Sequence, residues 1–144
     1  NTGWGVYSTY LSFICMFYDK LPKQICFVNE NIQKHDHVSI INKAITNIQD
    51  TKSLIPITGS YSYTRTDQHK KIKNYTTPRR WWSDNLRCGY AVNTRYLATG
   101  NFIIPRDIIY RHPKSHYSKI TENIKKETVA EECMIRLAFL DILR

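Results

Sequence analysis

The chain has 144 residues, 42% hydrophobic and 12% aromatic, which is enough for a real core and too apolar for a disordered tail. Its formal net charge of +9 favours phosphate-bearing partners, either nucleic acid or a nucleotide diphosphate, over a neutral role; the plain alternative is a soluble basic surface. No run approaches the ~20 apolar residues of a membrane span, and four cysteines without a C-x-x-C pair argue against a zinc site.

There is no initial methionine and no signal-peptide pattern, so a fragment or processed product is expected. Helical periodicity begins the chain at Tyr7, Tyr10, Leu11, Ile14, Phe17 and Tyr18. Leu21-Pro22 ends it, because proline disfavours helix at the preceding residue. Gln24–Val28 is β-rich and reads as a central strand, running into the polar triplet Asn29-Glu30-Asn31. Polar residues at the carboxyl end of a strand are where α/β sheets bind ligands. His35-Asp36-His37 follows. Its i, i+2 histidines do not share a helix face, so Asp36 reads better as a cap for a helix with apolar face Val38, Ile41, Ala44, Ile45 and Ile48.

The pattern weakens over Gln49–Pro78. Ile55–Ile57 and Tyr61–Thr64 read as short strands, Asp67–Lys73 as a basic loop or helix, and residues 49–80 as a variable insertion or lid within a single domain spanning 1–144. Asn74-Tyr75-Thr76 is a glycosylation sequon, a triplet that also arises by chance. Arg79-Arg80-Trp81-Trp82 can grip a phosphate and stack a base or sugar ring. The plainer reading is that one Trp fills the core while the arginines face water.

The centre of the chain is Leu97–Arg136. Leu97, Ala98, Phe102, Ile103 and Ile104 give an apolar strand signal that Gly100 interrupts, and glycine within a strand often marks close approach of a ligand or another backbone. Pro113 starts a basic helix, Lys114–Lys126, with Tyr117, Ile120 and Ile124 as its apolar stripe. Glu131 and Glu132 stand near the start of a last helix, Val129–Leu143, where the helix dipole favours ionised carboxylates. That helix is apolar around most of its circumference, with Arg136 and Asp141 as exceptions, so burial is expected. The order helix, strand, helix, irregular region, strand, helices predicts an α/β sandwich.

Three separated pieces resemble one glycosyltransferase-like family of otherwise unknown function. The first is Asn1-x-Gly3, Tyr10-Leu11-x-Phe13-Ile14, Tyr18-Asp19-x-Leu21-Pro22 and Phe27, similar to the family's N-x-G, Y-L-x-x-I and Y-D-x-L-P. The second is Gly100-Asn101-Phe102-Ile103-Ile104-x-Arg106-x-x-Ile109 with His112-Pro113 and Tyr117, which resembles G-x-F-x-V-x-R-x-x-I, R-P and Y. The third is Glu132, Ile135 and Phe139 against E-x-x-W-x-x-x-F, with Ile135 in the place of the tryptophan. Trp4-Gly5 stands where the family has Arg-Glu.

The resemblance implies a GT-A-like fold with a mixed central sheet, here beginning after the first strand. It implies transfer of a sugar from a nucleotide-sugar donor to a hydroxyl acceptor. Asn29, Glu30 and Asn31 match the family's metal-holding triplet for a divalent cation (Mn or Mg), with Glu30 its one carboxylate. Gly100, Asn101 and Phe102 match the acceptor-lining segment and Glu132 or Glu131 the general base; on the transferase hypothesis Arg79, Arg80 or Arg106 would meet the diphosphate. The alternative is a non-catalytic basic module that meets nucleic acid or another polyanion through Trp81 and Trp82.

Overall fold

The computed structural model describes residues 6–29, 37–47, 52–57, 61–65, 78–90, 92–97, 99–124 and 129–144. Helix α1 spans Val6–Phe17, and a turn of 3-10 helix at Tyr18–Lys20 closes it. Its buried residues, Tyr7, Tyr10, Leu11 and Ile14, fall at the i, i+3, i+4, i+7 spacing that makes one apolar stripe. Strand β1 follows at Gln24–Phe27, then helix α2 at His37–Asn47, strand β2 at Ile55–Pro56 and strand β3 at Tyr61–Arg65. Helix α3 is Pro78–Asn85, with proline in the first-turn position where its missing N–H costs nothing. Strands β4 (Asn93–Leu97) and β5 (Phe102–Pro105) lead into the single turn α4 (Arg106–Ile109), then α5 (Lys114–Ile124) and α6 (Val129–Leu143).

The class is mixed α/β, as the sequence predicts. Among the described residues the strands form two antiparallel sheets, ordered β1-β5-β2 and β3-β4. β1 is therefore an edge, and the strand with a neighbour on each side is β5. The burial patterns give the reason. All four residues of β5 are buried, as a strand covered on both faces requires, whereas β1 buries Ile25 and Phe27 but exposes Cys26. Cys26 is thus an exposed thiol. Pro56 lies in β2, at the sheet margin where a missing N–H is tolerated.

Gly100 does not sit inside a strand. It lies in the turn where the chain leaves one sheet, at β4, and enters the other, at β5. Its φ of +73° is in the left-handed region where glycine has no steric penalty.

The core forms where α1, the β1-β5-β2 sheet and α6 meet. Tyr10 packs against Phe27 at 4.5 Å between ring centroids, Tyr7 against Phe139 at 4.9 Å, and Phe102 against both Phe27 and Phe139. Helix α6 covers β4 as well, and α5 backs α1. The expected circumference of α6 holds: Met134, Ile135, Leu137–Leu140, Ile142 and Leu143 are buried and Arg136 is exposed. Within residues 49–80, β2 pairs with β5 and β3 with β4. The apolar face expected on α2 leaves Ile45 49% exposed.

Candidate functional site

The carboxyl end of β1 and the turn before β5 are tied together by their own side chains. Strand pairing sets Phe27 opposite Phe102, so the two chains leave the sheet side by side. The backbone N–H of Asn29 donates to Asn101 Oδ1 at 2.8 Å, and Asn29 Nδ2 donates to the Thr99 carbonyl at 2.6 Å. From the helix side, the Tyr10 hydroxyl donates to the Gly100 carbonyl at 2.9 Å, and the Tyr7 hydroxyl to the Leu97 carbonyl at 3.4 Å. Asn101 is almost fully buried, so its carbonyl group needs a partner there, and Asn29 supplies one. Burial holds the Tyr10 hydroxyl well above the ordinary tyrosine range, with Tyr7 and Cys26 adding to the shift, so it stays a neutral donor.

Helix α6 reaches the same end of the molecule. Arg136 lies over the Tyr96 ring at 4.9 Å, and the Thr94 hydroxyl meets the Leu137 carbonyl and the Asp141 carboxylate. Helix numbers rise as strand numbers fall, so α6 runs antiparallel to β4. Its first turn, whose backbone includes Glu131 and Glu132, therefore points the way β4 runs, past Leu97 toward Thr99–Asn101. The side chains of Glu131 and Glu132 lie outside the described residues.

Three of the expected site residues, Asn29, Gly100 and Asn101, are thus in contact or one residue apart, and Phe102 begins the adjoining strand. Gly100 and Asn101 are buried, and Phe102 is a core residue with no exposure. Their direct effect is on the backbone: a Cβ on residue 100 would stand 3.2 Å from the Tyr7 hydroxyl and 3.6 Å from Asn29 Nδ2. The other expected residues are elsewhere. Arg106 is at the far end of β5, where its guanidinium donates to the Leu21 carbonyl at 3.0 Å and its N–H to the Lys23 carbonyl. It pins the Leu21-Pro22 turn and is not beside Asn29.

Trp81 and Trp82 are both fully buried, so neither offers a ring face for stacking a base or sugar. The sequence allows for one core tryptophan; the helix buries two, Trp82 meeting Tyr90 edge-on at 5.4 Å. Arg80 is 73% exposed and pairs along the helix with Asp84 at 3.0 Å, which matches the water-facing alternative. The side chain of Arg79 lies outside the described residues.

Glu30, Asn31, His35, Asp36 and the sequon at Asn74 also lie outside the described residues, as does the side chain of His37. Hard cations need several oxygen ligands. Around Asn29 the described residues present amide and peptide oxygens that already accept hydrogen bonds, and no carboxylate. They do not by themselves fit a divalent metal, and among the described residues no cluster of three metal-ligating side chains occurs.

The Asn29–Asn101 contact is the feature that sequence reasoning misses. The available signal is an amide residue directly after Gly100, at the head of an apolar strand where a buried polar side chain must find a partner. Comparison with protein-family models, with curated proteins and with solved structures returned no match.

Proposed function

We propose that the chain is a glycosyltransferase-like α/β domain, of GT-A type, that transfers a sugar from a nucleotide-sugar donor to a hydroxyl acceptor. The reading rests on the motif resemblance and on one observation: its first two pieces, 90 residues apart in sequence at Tyr10 and Gly100, are joined by a direct hydrogen bond. The third piece opens a helix whose backbone heads toward the same end of the molecule. In this reading Asn101 and Gly100 fix the backbone beside β1, and Glu132 or Glu131 takes the proton of the acceptor hydroxyl. A carboxylate can do so when it lies within hydrogen-bond reach of that hydroxyl. If a divalent metal takes part, Glu30 is the residue that would supply its carboxylate. Asn29 then holds the triplet in register through its bonds to Thr99 and Asn101.

The alternative, a polyanion module that stacks bases on Trp81 and Trp82, is not favoured because both indoles are buried. The test is a thermal-shift titration with nucleoside diphosphates and their sugar esters, with and without manganese. A ligand that binds only the folded chain raises its melting temperature. A base-selective rise that a sugar ester enhances supports the reading. No rise with any nucleotide sugar at several millimolar contradicts it.

A further inference from the structure

A second feature of the molecule lies beyond the other end of β5. A cavity of about 370 Å³ opens where the carboxyl end of α6 meets β3, β4 and the segment after α4. Lys52, Arg95, Arg111 and Arg144 line it, brought from four separate parts of the chain. No acidic side chain is among its described lining residues. The acid nearest in the bonding pattern, Asp141, pairs with Arg144 at 3.4 Å from the helix behind. The floor is apolar, made by Ile108, Leu140 and Leu143, all buried. Tyr61 adds an aromatic wall, with the Arg95 guanidinium held over its ring at 4.1 Å. An adjoining cavity of similar volume shares Lys52 and Arg111 and adds Lys23, with Asp107 the one acid among its described lining residues.

Four cations drawn into one concavity repel one another, and low-dielectric walls focus their field outward. That arrangement raises the local concentration of anions and suits a ligand that neutralises several charges at once. Guanidinium groups add planar, paired donors that match phosphate oxygens better than an ammonium does. The volume is in the range of small-molecule sites, and the apolar floor gives the uncharged part of a ligand somewhere to rest. We propose that this cavity binds a small organic oligoanion, a phosphate-bearing molecule with at least two negative charges and an apolar or planar body. It shares no residue with the Asn29–Asn101 contact and needs no metal, so it is separate from the transferase reading.

The test is calorimetric titration of the full chain, in EDTA, with inorganic tripolyphosphate and with adenosine triphosphate as probes. The variants are Arg111→Gln and Arg144→Gln, both at exposed side chains. Lys119→Gln, at an exposed residue of α5 away from the cavity, is the charge-matched control. Both probes should bind, the nucleotide more tightly for its planar body. Each cavity variant should weaken binding about tenfold, the worth of one charge-assisted hydrogen bond, while the control stays unchanged. In NMR titration of the unmodified chain, tripolyphosphate should shift Leu140, Leu143 and Tyr61 first, a readout that does not depend on any variant folding. The proposal is overturned by absence of binding at millimolar tripolyphosphate, or by equal weakening in Lys119→Gln, which marks a diffuse charge effect. Binding of oligonucleotides alone would overturn it as well.

Discussion

The Asn101 side-chain carbonyl accepts the backbone N–H of Asn29 at 2.8 Å, and so a buried amide on one strand terminus closes the end of another. Asn101→Ala removes that acceptor and leaves the Asn29 N–H short of its partner. The loss should be about 1–3 kcal/mol of unfolding free energy, the usual penalty for a part-buried orphan donor. Urea denaturation of the variant measures it. A change below about 0.5 kcal/mol, the range of neutral surface substitutions, would mean that the bond does not hold the turn.

Gly100 joins the two sheets in a left-handed conformation, beneath the Tyr7 hydroxyl. Gly100→Ala meets two penalties, a backbone strain of about 1 kcal/mol and a 3.2 Å approach to that oxygen. Tyr7→Phe removes the oxygen. In a double-mutant cycle the Gly100→Ala loss should therefore be smaller in the Tyr7→Phe background than in the wild type. Strict additivity would show that the approach is relieved some other way.

Trp81 has no hydrogen-bond partner for its indole N–H among the described residues, so its contribution is packing. Trp81→Phe keeps most of the volume and should cost less than about 1.5 kcal/mol, whereas Trp81→Ala should cost about 3–5 kcal/mol. If instead Trp81 served ligand stacking, Trp81→Ala would leave the midpoint of denaturation nearly unchanged.

How much of this was legible in the sequence differs from element to element. Helix α6 was readable to the residue, because an almost unbroken apolar surface from Met134 to Leu143 makes burial on all sides the cheapest solution. Helix α1 was readable from one stripe and a closing proline. The runs that form β1, β2, β3 and β5 are legible, whereas β4 at Asn93–Leu97 is not, and no run shows its partner: segments of two to five residues carry too little pattern to choose a neighbour, so the central place of β5 and the edge place of β1 come from tertiary packing. Gly100 stands out in the sequence as an interruption of an apolar run, yet its use at a sheet-to-sheet crossing depends on pairings made elsewhere. The two tryptophans looked available for ligands because adjacent aromatics give no sign of which face a short helix buries. The basic cavity was invisible for a related reason. The charge runs in the sequence are local, while Lys52, Arg95, Arg111 and Arg144 converge only on folding.

His116 gives the chain a titration with a definite sign. It is buried, stacked on His112 at 4.0 Å, with Nε2 at 3.0 Å from the Ile142 carbonyl. Burial holds it below the ordinary histidine range; the Ile142 carbonyl opposes that shift, and His112 and Arg87 add to it. The unfolded chain therefore takes up this proton at higher pH than the folded chain. Its contribution to stability is complete above about pH 6.5 and is lost as pH falls from there toward the folded-state value. His116→Gln keeps a donor for the Ile142 carbonyl and removes the titration. Its melting temperature should fall less than that of the wild type between about pH 7 and pH 5.5, above most carboxylate titration. Parallel profiles would assign the acid sensitivity to other groups.

The central claim, that this is a sugar-transferring domain with its base on the first turn of α6, is tested most directly by a transfer assay on matched variants. Release of nucleoside diphosphate from a panel of sugar donors, with hydroxyl acceptors present, is measured for the wild type, Glu131→Gln and Glu132→Gln. The account predicts acceptor-dependent turnover in the wild type. It predicts a fall of about 100-fold or more in one of the two variants, the scale of a lost general base, with melting temperature unchanged. Turnover that is absent from the wild type across the panel, or that persists equally in both variants, would contradict it.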